Sequence, residues 1–271
     1  MFELPKGMSD FRARDRGQEY VQHGVAFLRQ NALEVTAQAP LGARVQSKQL
    51  LSLLQAKHND QDHEIYNLTS AQEVRGMKVM TTERGVHSVT AATGQDAPAL
   101  TAYYLPWDTN KSYSMTLGDR ANFFFTAPMN GCAFFATGER TTPTVYHSNY
   151  YLDPEQHALK DTVRYQRRST FYARFQQMIK KGTTQALLPE FYLAPNGVKS
   201  STTSVFGFRD RNNGQWSFSY HVVFVANEPY ANTNAQVVVQ HTNKPYFMTG
   251  PLWPVMQQPK WRTLMGHYLW G

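Results

Sequence analysis

The sequence predicts an α+β protein with a mixed β-sandwich-like core flanked by helices. Three observations predict it. Between Val74 and His147, short runs rich in Val, Phe, Tyr and Thr are separated by Gly85, Gly94, Pro98, Gly118 and Gly138, the punctuation of successive strands. Further on, Trp216, Phe218, Tyr220, Val222 and Phe224 alternate with Ser217, Ser219 and His221, as a strand with one buried face requires. Between these lies Asp153-Pro154-Glu155-Gln156, with an Asp N-cap, a first-turn proline and a capping-box glutamine at the head of a helix.

Taken in order, the elements divide the chain at about residue 70. In the first part, Leu50, Leu51, Leu53 and Leu54 give helical spacing over Val45–Gln55, and Gln18–Leu33 is a less regular second helix. Lys57 to His63 is a polar loop, its histidines and aspartates lacking a metal-ligand spacing. Residues 1–70 therefore read as a helical or partly disordered extension, and residues 71–271 as the domain that carries chemistry. That domain opens with strands at Val74–Thr81, Val86–Ala92, Ala99–Leu105, Ser112–Leu117, Asn122–Thr126, Ala133–Thr137 and Thr144–His147. The helix from Asp153 runs towards Gly182 with a possible interruption near Ser169-Thr170, and turns Phe171, Phe175, Met178 and Ile179 inward. Asn212-Asn213-Gly214 forms a hairpin turn. Gln236–Gln240 is a last short strand, and the tail holding Pro245, Pro251, Pro254 and Pro259 is irregular.

Composition narrows the function. Of 271 residues, 41% are hydrophobic and 13% aromatic, the make-up of a packed chain and not of a disordered one. The longest apolar stretch, Asn122 to Gly138, is broken by Pro128, Asn130 and Gly131, which excludes a helical membrane span. Met1 to Lys6 has no basic-then-apolar secretory pattern. The net charge of +7 gathers at Arg164, Arg167, Arg168, Arg174, Lys180 and Lys181. A solvated helix face is preferred there over nucleic-acid binding by the interleaved aromatics of Tyr165–Phe175. Cys132 is the single cysteine, which rules out an intramolecular disulfide and any zinc site of two or more thiolates.

The constellation with chemical content surrounds that cysteine. If Ala133–Thr137 and Thr142–His147 form a hairpin symmetric about Gly138-Glu139-Arg140-Thr141, Cys132 and His147 stand directly opposite each other. Opposed residues have Cβ atoms roughly 5 Å apart, close enough for imidazole to activate a thiol. Gly131 lets the backbone turn before the nucleophile, and the Cys132 N–H offers an oxyanion donor. On spacing alone, a buried structural cysteine beside a strand-end histidine is the commoner arrangement.

Tyr104-Leu105-Pro106-Trp107, then Phe123-Phe124-Phe125-Thr126, then Asn130-Gly131-Cys132, a short aromatic strand and His147 resemble the Burkholderia lethal factor family. They also resemble the catalytic domain of the cytotoxic necrotizing factors. The resemblance spans roughly Ala99 to Phe175. Thr126 stands where the family pattern has a threonine, whereas Met129-Asn130 replace the family's Leu-Ser. The Cys-to-His separation is similar to that of the necrotizing factors. The resemblance implies a necrotizing-factor-like catalytic core and a cysteine-dependent glutamine deamidase. Cys132 would be nucleophile, His147 general base and acid, and Thr126 the residue orienting His147; no metal or organic cofactor is required. It further implies a secreted or injected toxin acting in the host cytoplasm on a Rho-type GTPase or a translation-initiation RNA helicase. Two alternatives stand beside this: a transglutaminase using the same Cys-His pair, and a non-catalytic β-rich binding module whose basic face docks on an acidic partner.

Overall fold

The computed structural model describes residues 24, 26–31, 33–36, 45–51, 63–68, 74–81, 87–92, 100–150, 161–180, 182–193, 198–231 and 237–255. Their architecture is α+β and dominated by sheet. Fourteen strands are present among them: β1 (Leu33–Val35), β2 (Val45–Leu51), β3 (His63–Leu68), β4 (Val74–Thr81), β5 (His87–Ala91), β6 (Leu100–Leu105), β7 (Lys111–Thr116), β8 (Phe123–Thr126), β9 (Ala133–Thr137), β10 (Thr144–Ser148), β11 (Thr184–Leu187), β12 (Val198–Arg209), β13 (Trp216–Ala231) and β14 (Val237–Trp253). They form an eight-stranded sheet, in the order β1-β5-β4-β6-β8-β12-β13-β14, and a six-stranded sheet, in the order β11-β9-β10-β7-β3-β2. Both are mixed: β1 runs parallel to β5 and β6 to β8 in the first, and β3 parallel to β7 in the second.

The two sheets share one core. Tyr103, Leu105, Phe124, Val205, Trp216, Phe218 and Trp253 from the larger sheet meet Met115, Phe134, Ala136 and Val145 from the smaller. Each strand contributes alternate residues, so the other face of each sheet carries a second set of apolar side chains. Helix α1 (Asp161–Ile179) covers the outer face of the six-stranded sheet, packing Phe171, Tyr172, Phe175 and Ile179 on Ile65, Ala133 and Phe135. A helical turn at residues 26–30 brings Phe27 and Leu28 onto the outer face of the eight-stranded sheet, beside Val79, Tyr104 and Phe125.

Phe218 lies at the centre of the shared core, 5.4 Å from the Phe124 ring, 5.7 Å from Phe134 and 5.5 Å from Trp253. The register places Gly207 of β12 between Phe218 of β13 and Phe124 of β8. A Cβ built on Gly207 would lie 2.7 Å from the Phe218 ring and 2.8 Å from Phe124 Cβ, so the missing side chain is the space those rings fill. Gly207→Ala is expected to destabilise the protein by about 2 kcal/mol through overpacking, measured as a lower urea midpoint.

Several expectations need correction. Val45–Leu51 is a strand paired with β3, not a helix. A run of leucines that short fits either period, and the neighbouring strand decides it. Before residue 70, β1, β2 and β3 are built into the two sheets, beside the helical turn at residues 26–30. His63, expected in a polar loop, begins β3 and is buried. The expected irregular tail is β14 as far as Trp253, while the helix start at Asp153 lies outside the described residues. Helix α1 is continuous through Ser169-Thr170, and it buries Tyr172 in place of Met178, which is 43% exposed.

Candidate active site

The chain leaves β8 in the larger sheet and enters β9 in the smaller through residues 127–132. Met129 ties the start of this crossing to β12 by a two-way backbone bridge with Thr203. The turn falls at Gly131, whose φ of +103° is a conformation L side chains rarely adopt. Two buried tyrosines hold the turn. Tyr192, from the short helix α2 (Pro189–Tyr192), accepts from the Gly131 N–H at 2.9 Å and donates to the Cys132 carbonyl at 2.6 Å. Tyr172, from α1, donates towards the Gly131 and Ser148 carbonyls at 3.1 and 3.2 Å and accepts from the Tyr150 N–H. Burial keeps both phenols protonated, with pKa values raised above the ordinary range, so each keeps a proton to donate.

The β9–β10 register differs from the expected one. Thr144 pairs with Thr137, Tyr146 with Phe135 and His147 with Phe134. The connecting loop is longer than expected because Thr142 and Pro143 belong to it; proline has no N–H to give a ladder. The shift is two residues, and side chains alternate with period two, so the faces are kept. Cys132, Phe134, Ala136 and Val145 all lie in the core between the sheets. His147, paired with Phe134, lies on that same face, diagonal to Cys132 and not opposite it; such neighbours are about 7 Å apart.

The residue brought against the sulfur is Asn149, whose Nδ2 donates to Cys132 Sγ at 3.2 Å. Cys132 is 3% exposed, and burial pushes its thiol up to about 11, against the opposing pull of Asn149, the Asn130 backbone and the Arg168 guanidinium. Arg168 sits beside the turn, its Nη1 3.3 Å from where a Gly131 Cβ would be. His147 is fully buried, and neither ring nitrogen has a hydrogen-bond partner among the described residues. Burial lowers its pKa to about 3; the Leu105 backbone favours the charged form but lies outside bonding geometry. In this structure, thiol and imidazole are thus a neutral pair on one face with no hydrogen bond between them.

The other expected residues fall as follows. Thr126 was expected to orient His147 by its hydroxyl or its backbone carbonyl; the hydroxyl is engaged elsewhere, accepting from the Val205 N–H at 2.9 Å and tying β8 to β12. The Gly131 N–H is taken by Tyr192, whereas the Cys132 N–H has no hydrogen-bond partner among the described residues. His221 accepts from the Leu33 N–H at 3.0 Å, as a structural histidine does. Phe171, Tyr172 and Phe175 of α1 pack on the sheet, while Arg174 and Lys180 are exposed. Sequence reasoning missed Asn149, Tyr172 and Tyr192, and took Arg168 only as surface charge. Pro143 was the available signal for Asn149, since moving it out of the strand brings Asn149 opposite Cys132. Among the described residues, no cluster of three His, Cys, Asp or Glu could hold a metal, and no helix is long and apolar enough to cross a membrane. No family model and no curated protein matches the chain.

Proposed function

We propose that the chain is a toxin-type glutamine deamidase that converts a glutamine of a host protein to glutamate through Cys132 and His147. The observation that carries this is their shared face: the only thiol of the chain at a constrained glycine turn, and a buried imidazole with no partner on the adjacent strand. A fully buried imidazole without a hydrogen bond is costly, and such a group is a candidate for function. In the reaction, His147 takes the thiol proton while the sulfur attacks the side-chain carboxamide carbon. The tetrahedral intermediate collapses with loss of ammonia, which receives that proton, leaving a thioester. Water, deprotonated by His147, then adds to the thioester; glutamate leaves and the thiol is restored. The Cys132 N–H faces the developing oxyanion. A substrate carboxamide entering beside Cys132 would bring the polar partner that His147 lacks among the described residues. The resemblance to the lethal and necrotizing factors supports a Rho-type GTPase or a translation-initiation RNA helicase as target, and delivery into the host cytoplasm.

The burial of Cys132 and its high thiol pKa favour a second reading, a non-catalytic β-rich binding module. One experiment separates them. The protein and its Cys132→Ser variant are incubated with a eukaryotic lysate, and tryptic peptides are searched for glutamine converted to glutamate. Conversion at one or a few sites, absent with the variant, is expected. Equal traces with both proteins, at matched folded concentration, would leave the binding module. Incorporation of a labelled primary amine in place of water would identify a transglutaminase.

A further inference from the structure

The hydrogen bonds around Cys132 lead away from His147 and reach a second histidine. Asn149 Oδ1 accepts from the Asn110 N–H at 3.3 Å, while Asn149 Nδ2 donates to Cys132 Sγ at 3.2 Å. A backbone N–H only donates, so the carboxamide end facing Asn110 is the oxygen and the end facing the sulfur is the amine. The Asn149 N–H donates to the Lys111 carbonyl at 2.9 Å, which fixes the residue from its backbone as well. Asn110 has φ +54°, a left-handed conformation that asparagine tolerates better than most residues. Its side chain meets His63 Nδ1 at 3.4 Å. On the far side of that ring, His63 Nε2 is 2.7 Å from Ser112 Oγ, which gives its own proton to Ser148 Oγ at 2.6 Å. Nε2 therefore carries the hydrogen and Nδ1 accepts, which requires the Asn110 carboxamide to turn its amine end to the ring; Phe171 packs edge-on against the ring at 4.6 Å.

We infer that Asn149 is the donor that holds the Cys132 sulfur for reaction, and that Asn110 and His63 are positioning residues acting through it. An amide N–H bonds a thiolate much more strongly than a thiol, so this contact favours the reactive form. Arg168 acts in the same direction; among the described residues, Tyr172 and Tyr192, kept protonated by burial, and the neutral His147 are the other titratable groups around the sulfur. His63 does not relay a proton, because a backbone N–H stands between it and Asn149. Its part is geometric: it keeps Asn110 where the N–H aims the carboxamide. The inference deepens the deamidase reading and takes Cys132 as nucleophile from it.

The test titrates the thiolate by its ultraviolet absorbance in the isolated protein, with Cys132→Ser as blank and a thermal melt to verify folding. Asn149→Ala is expected to lower the thiolate fraction at a given pH about tenfold. Asn149→Asp keeps the shape and the oxygen facing Asn110, and is expected to lower it further, since a carboxylate repels the thiolate. His63→Ala is expected to lower it about threefold, and to have no additional effect once Asn149 is alanine. A titration of either folded Asn149 variant that overlays the parent, or a His63 effect that persists in the Asn149→Ala background, would overturn the inference. Because no substrate is present, failure here is distinct from failure of the deamidase reading. Titrations that shift in a protein that converts no lysate glutamine would sink that reading alone.

Discussion

Moving the protein from about pH 8 to about pH 5.5 is expected to lower its unfolding free energy by about 4 kcal/mol. His63, His147 and His221 are buried, and burial is the first cause that lowers their pKa values from 6.5 to about 4, 3 and 3. In the unfolded chain all three take up protons near 6.5, while in the fold they remain neutral until far lower pH. The unfolded state therefore binds more protons as pH falls, and stability falls with it. The contribution is fully present above about pH 7 and is lost through the window between the unfolded and folded values. Each histidine contributes about 1.4 kcal/mol per pH unit once its unfolded form is charged. The molecular event is clearest at His221, where a protonated Nε2 stops accepting from the Leu33 N–H and β1 loses its tie to β13. Urea midpoints across this range check it, and a flat profile down to pH 5 would show the imidazoles to be solvated.

Tyr192→Phe is expected to cost about 3 kcal/mol, a large effect for one oxygen. That hydroxyl satisfies the Gly131 N–H and the Cys132 carbonyl together, and without it both lose their partner next to the core. Tyr172→Phe removes the clamp on the other side of the same turn. The two losses are expected to be non-additive, because both hydroxyls restrain the Gly131 peptide groups. Denaturant unfolding of the two variants and the double variant measures the coupling. A Tyr192→Phe loss below about 0.5 kcal/mol would mean the turn holds its shape unaided.

The strands between Val74 and Ser148 were readable because their signals are local: alternation within each, and glycine or proline between them. Observed β4 and β9 coincide with the expected ranges, and the hairpin at Gly214, φ +70°, joins β12 to β13 as its sequence requires. What escaped depended on neighbours. The leucines near residue 50 became a strand because β3 lies beside them. Pro245 and Pro251 signalled irregular structure, yet β14 is the last strand of its sheet, where a proline costs no ladder bond on the open side. At the candidate site, the shared face of Cys132 and His147 was legible from residue type and period, although their direct opposition was not. Asn149 required the true loop length, and Tyr172, Tyr192 and Arg168 reach the turn only because two helices dock there.

The register of the β9–β10 hairpin has a consequence for how such a chain can vary over generations. Lengthening the loop after Gly138 in pairs of residues slides one strand along the other but returns the same side chains to the same side. A single inserted residue turns the imidazole away from the thiol. Descent should therefore tolerate even changes in this loop and purge odd ones, unless a bulge restores parity. The distance between cysteine and histidine along the chain is then a quantity that drifts in steps of two while the pair itself endures.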